Sequence, residues 1–166
     1  MIERASRKSF RALLIENILK PLHLTGMWPY KTGNIADDSQ FAQVYEKLTK
    51  PYGLDKDGRF VKGRYHDYFC CSAGIIASVL DMAKYDIAIS QYKLLRPETQ
   101  ELAFTPFVSR AGKILPYGLG WFTQEYHGIR LIWHFGYYPP SISTLILKVP
   151  DKRMTLIVFA NTDALS

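Results

Sequence analysis

The 166-residue sequence predicts an α+β fold, with helices in the first two thirds and an antiparallel sheet in the last third. Three observations carry this. Apolar residues recur at helical spacing over 10–19 and 76–90, and a proline opens a short helix at 97. Four runs rich in β-branched and aromatic residues then follow one another after Pro116. Short connectors separate them, and short connectors join hairpin neighbours, which makes the sheet antiparallel.

Taken in order, Met1 to Ser6 reads as the last turn or two of a helix, since Ile2 and Ala5 have helical spacing. Ser9 is an N-cap for a helix over 10–19, whose apolar face is Phe10, Leu13, Leu14, Asn17 and Ile18 and which Pro21 stops. Residues 21–69 hold Pro21, Pro29, Pro51 and five glycines, with no sustained period outside 39–48. Such a long irregular excursion in a compact domain suits one wall of a cleft. Ile75, Ile76, Val79, Met82, Ala83 and Ile87 then predict a helix over 76–90, and Pro97-Glu98-Thr99 starts a second one through Phe104. The strands are expected over 117–124, 130–134, 143–149 and 154–160.

Composition narrows the function classes. Hydrophobic residues make up 48% and charged residues 22%, which excludes a disordered or collagen-like chain and suits one domain. The longest apolar runs, such as Leu156 to Ala160, are far below the roughly 20 residues of a membrane span, so no membrane span is expected. No signal-peptide pattern stands in the sequence. The net charge of +6 is half concentrated in residues 1–20 and otherwise scattered, with no nucleic-acid motif, so nucleic acid is not an expected partner. Cys70 and Cys71 are adjacent and lack a second pair, which excludes a disulfide framework and a four-cysteine zinc site. His127 and His134 are not at a zinc spacing, and neither a metal nor another cofactor is expected.

Two short motifs match acyl-transfer patterns in the wrong places. Ser90-Gln91-Tyr92-Lys93 fits S-x-x-K, but that motif needs its serine at a helix N-terminus and Ser90 ends a helix. Lys31-Thr32-Gly33 fits K-T-G, but Pro29 and Asn34 place it in a loop rather than on a strand. His23 and His66 read as loop histidines. His134 ends a strand and is followed two residues on by Gly136. Taken alone, that pair reads as a hairpin-edge histidine with a turn glycine.

The order of segments changes that reading. Ile2-Glu3-Arg4-Ala5-Ser6, Pro21-Leu22, Ser72 to Ser78 leading to Asp81-Met82-Ala83-Lys84-Tyr85, Leu94 to Thr99, Tyr117-Gly118-Leu119-Gly120-Trp121-Phe122, Trp133-His134-Phe135-Gly136-Tyr137 and Val149-Pro150-Asp151 to Asp163 occur in this sequence. Together they resemble the C-terminal part of serine β-lactamase-like, penicillin-binding-protein-like hydrolases. The resemblance implies an antiparallel sheet flanked by helices, a partial β-lactamase/transpeptidase-like fold. It also implies acylation of a serine by a small-molecule or peptide acyl substrate. Of the family's three motifs only the K-T-G or H-x-G strand maps here, onto His134-Phe135-Gly136. By analogy His134 orients the substrate, and the Tyr137 backbone N–H is one oxyanion donor.

No Y-x-N or S-D-N occurs in the sequence, and the S-x-x-K match falls in the wrong segment. The expectation is therefore a domain truncated at both ends over 1–166, incomplete without its N-terminal half. The alternative is a non-catalytic binding module on the same fold. A cut sheet exposes an edge and an apolar face, so the isolated chain is expected to self-associate, to pair with its missing half or to be marginally stable. The resemblance is compatible with a periplasmic or secreted setting. The sequence departs from the family at Arg7 and His23, where glycine is common, and at Pro140-Ser141 in place of Pro-Gly.

Overall fold

The computed structural model describes residues 1–29, 42–43, 46–63, 75–138 and 142–162. Lys31-Thr32-Gly33, His66, Cys70, Cys71 and Pro140-Ser141 lie outside the described residues.

Helix α1 (Ile2–Ser6) ends on Arg7 in the left-handed region, φ 57°, whose N–H donates to the Glu3 carbonyl. His23 is also left-handed, φ 52°. At both positions the resemblance implies glycine, and each carries a side chain in a conformation that disfavours one. Helix α2 (Phe10–Leu14) starts where expected, because the Ser9 hydroxyl accepts from the Ala12 N–H and Glu3 Oε1 accepts from the Phe10 N–H. The helix does not run to 19 as a single α-helix. Over Ile15–Leu19 it widens to a π turn closed by the Lys20 N–H on the Ile15 carbonyl. The widening rotates the apolar face, so the core here is Leu19 and Leu24, with Ile15, Ile18, Leu22, Ala77, Met82 and Tyr85 against them.

The 21–69 excursion contains more β structure than its sequence suggests. Strand β1 (Met27–Pro29) pairs antiparallel with β4 (Ile75–Ala77), and β2 (Tyr52–Leu54) forms a hairpin with β3 (Phe60–Lys62). The helix expected from 76 starts later. Residues 75–77 are extended, and Ser78 caps α3 (Val79–Ser90) by accepting from the Asp81 N–H. Helix α4 (Pro97–Phe104) begins on its proline as expected. A small hairpin of β5 (Phe107–Val108) and β6 (Ile114–Leu115) follows.

The main sheet is β7 (Phe122–Tyr126), β8 (Ile129–Tyr138), β9 (Ile142–Val149) and β10 (Met154–Ala160), all antiparallel in the order β10-β9-β8-β7. The expected first strand loses 117–121 to a loop, and β8 runs four residues beyond His134. Its register divides the sheet into two faces. Thr123, Ile132, His134, Gly136, Thr144, Ile146 and Lys148 share one face, and Phe122, Trp133, Phe135, Leu145, Leu147, Leu156 and Val158 share the other. The first face packs on α3 and α4. Ile132 is fully buried among Ile89, Ala103 and Phe104, a burial that stabilises by about 2 to 3 kcal/mol. The Thr123 hydroxyl donates to the Phe104 carbonyl at 2.8 Å. The second face keeps Phe135 at 48% and Leu156 at 49% exposure. Among the described residues, no helix is long and apolar enough to cross a membrane.

Candidate functional site

The sequence places three candidate residues on β8, and the strand's pairing sets their surroundings. β7 pairs with β8 only as far as Trp133, while β9 pairs with it from Ile132 to Tyr138. His134, Gly136 and Tyr137 therefore lie on the stretch of β8 whose pairing in the main sheet is with β9 alone.

His134 is half-buried, and its Nε2 is 3.1 Å from the Tyr117 hydroxyl. Its ring lies 5.7 Å from that of Phe122 and 6.2 Å from that of Phe135. Phe122 in turn stacks on Trp133, its direct cross-strand partner, at 4.5 Å. By register Phe122, Trp133 and Phe135 belong to the opposite face of the sheet, and the described polar partner of the imidazole is the Tyr117 hydroxyl.

Gly136 has a different structural reason from the one its sequence context suggests. It faces Thr144 across the ladder, and a Cβ at 136 would stand 2.5 Å from the Thr144 hydroxyl oxygen. The glycine makes room for that threonine. Tyr137 is 47% exposed and pairs with Ser143, whose hydroxyl donates to the Thr162 carbonyl at 2.7 Å.

Ser90 ends α3, and its hydroxyl is bonded not by Lys93 but by Lys148 Nζ at 3.1 Å. Lys148 Nζ also pairs with the Asp86 carboxylate in the buried layer between α3 and β9. An ammonium paired this way is a proton donor to Ser90, so it is no base for that hydroxyl. Burial, with the Asp86 charge beside it, raises the phenol of Tyr85 above its ordinary value. Among the described residues, no group of three or more His, Cys, Asp or Glu could hold a metal ion.

A cavity of about 770 Å³ opens elsewhere, lined by Lys20, His23, Gly26, Lys47 and Ser78 among others, without His134. Residues of the 21–69 excursion do line a cleft there.

Sequence reasoning missed Tyr117 as a site residue, and also the Lys148–Asp86 pair. A charged residue inside the apolar run 145–149 was the available signal for the pair. Tyr117 reaches His134 through a loop whose course the sequence does not display.

The family model "Beta-lactamase" matches residues 1–165. The chain is 26% identical over 170 residues to penicillin-binding protein 4* of Bacillus subtilis (strain 168), covering 98% of the chain and 37% of that protein. Its fold is similar to the octameric penicillin-binding protein homologue from Pyrococcus abyssi, with a TM-score of 0.78 and 25% identity over 97% of this chain and 35% of that one. It is also similar to a penicillin binding protein from Bacillus halodurans, with a TM-score of 0.75 and 18% identity over 96% and 47%. The chain spans between about a third and a half of the length of these relatives. Its antiparallel sheet backed by helices and its match over residues 1–165 place it together: the chain belongs to the beta-lactamase family.

Proposed function

We propose that residues 1–166 form the sheet-side wall of a serine acyl-transfer site. In this reading His134 orients an acyl substrate, Gly136 leaves room for the Thr144 hydroxyl beside it, and the Tyr137 backbone N–H is one oxyanion donor. The nucleophilic serine, its lysine and the tyrosine motif come from residues outside 1–166, so the chain alone is inactive. The observation that carries the reading is the position of His134 on the stretch of β8 beyond the reach of β7. An extended acyl group can lie along such an edge and meet the imidazole. Substrates are of the β-lactam, D-amino-acid peptide or ester class.

The rest of the domain would pack on the β10 edge and on the sheet face bearing Phe135 and Leu156. The half-exposed side chains there and the short coverage of the relatives support this. Without that cover, the same surface would drive self-association.

The test is the rate of acylation by a fluorescent penicillin and by a p-nitrophenyl ester, in the full natural reading frame, for wild type and His134→Ala. A loss of about a hundredfold or more with at least one probe is expected, the usual scale for one orienting or oxyanion group. Unchanged acylation by every probe that reacts would remove His134 from the site.

A further inference from the structure

An imidazole presents two nitrogens, and which one carries the proton is set by what the other meets. At His134 the described partner is the Tyr117 hydroxyl, 3.1 Å from Nε2. A phenol O–H is a good donor and its oxygen a poor acceptor, because the oxygen lone pair is drawn into the ring, whereas an unprotonated imidazole nitrogen is a strong acceptor. The better pairing has Tyr117 donating to Nε2.

Tyr117 is fixed by elements other than β8. Its N–H donates to the Leu115 carbonyl at 2.7 Å, and its carbonyl accepts from the Phe107 N–H at 3.1 Å, which ties it to β5 and β6. Its ring meets that of Phe122 edge-on at 4.6 Å. Gly118 then seats the loop on the end of α4. A Cβ there would lie 2.3 Å from the Ala103 carbonyl oxygen and 2.8 Å from that of Thr105, and Leu119 N–H donates to the same Ala103 oxygen. Trp121 closes the loop edge-on against Phe104, 5.5 Å away. The hydroxyl therefore comes to His134 from a platform built by α4 and the β5–β6 hairpin.

We propose that Tyr117 is the positioning residue for His134. Its hydroxyl donates to Nε2 and holds the neutral imidazole as the Nδ1–H tautomer, so Nδ1–H is the donor offered to an acyl oxygen. This rests on the acyl-transfer reading of His134, but its test does not.

The test uses the full natural reading frame with ¹⁵N-labelled histidine, in long-range ¹H–¹⁵N spectra that read which ring nitrogen carries the proton. Wild type is expected to show Nδ1 protonated and Nε2 as the acceptor. Tyr117→Phe, which keeps the ring against Phe122, is expected to move at least half of His134 to the Nε2–H form and to lower kcat/KM about fivefold, the scale of one hydrogen bond. An Nε2–H wild type overturns the proposal without any variant. A tautomer unchanged in a folded Tyr117→Phe overturns it as well. If the tautomer behaves as stated while His134→Ala acylates normally, Tyr117 still positions the ring and it is the acyl-transfer reading that fails.

Discussion

The buried Lys148–Asp86 pair makes a sharp stability experiment. The two residues are 5% and 8% exposed, and they bridge β9 to α3 across 62 residues of sequence. Lys148→Met keeps the length of the stem but strands the Asp86 carboxylate in the layer beside Tyr85. Breaking a buried pair from one side costs about 3 to 5 kcal/mol, because the remaining charge loses its partner and is still out of water. The Ser90 hydroxyl adds little, since Ser90 is exposed and can turn to solvent. Asp86→Leu is expected to cost a similar amount from the other side. In the double variant no charge remains buried, and its stability is expected within about 1.5 kcal/mol of wild type. The coupling across the double-mutant cycle is then at least about 4.5 kcal/mol, read from urea unfolding by far-UV circular dichroism at constant m. A single variant that fails to fold while the double one folds gives the same answer. The reasoning is refuted if Lys148→Met costs under 1 kcal/mol, or if the double variant costs the sum of the singles.

Arg7→Gly removes a side chain from a left-handed C-cap, and urea unfolding should show a gain of about 0.5 to 1 kcal/mol. Gly136→Ala pushes a methyl group into the Thr144 hydroxyl, for a loss of about 1 to 3 kcal/mol that Thr144→Ala in the same chain largely restores, again by urea unfolding. Tyr85 has its phenol raised above 10.0 by burial and by Asp86, so the folded state holds that proton more tightly than the unfolded one. Stability from this group is full below pH 10 and falls as pH rises through the higher folded value. Unfolding followed from pH 8 to 12 should show that alkaline loss, reduced in Tyr85→Phe.

Local signals explain what could be read in advance. Ser9, Pro97 and the β-branched runs mark elements by chemistry that acts within a few residues: α2 and α4 start where expected, and β9 and β10 lie within a residue of their expected bounds. The stretch 75–77 misled because an apolar run is consistent with helix or strand until its tertiary partner is known, and here the partner is β1. Residues 117–121 are aromatic and look like strand, yet backbone bonds to Leu115 and Ala103 bend them into a loop. His134 could be singled out, but its hydroxyl partner 17 residues away depends on where that loop lands. Gly136 was visible as a glycine, while its reason, Thr144, required the β8–β9 register.

The central claim, that these residues are one wall of a serine acyl-transfer site whose nucleophile lies outside them, is tested most directly by intact-protein mass spectrometry. The chain alone and the chain in its full natural reading frame would each be exposed to a fluorophosphonate and to a labelled penicillin. One covalent adduct on the longer protein and none on residues 1–166 is the expected result. An adduct on residues 1–166 alone would contradict the account and return attention to Ser90 and Lys93, and no adduct on either would leave a binding module in place of an enzyme.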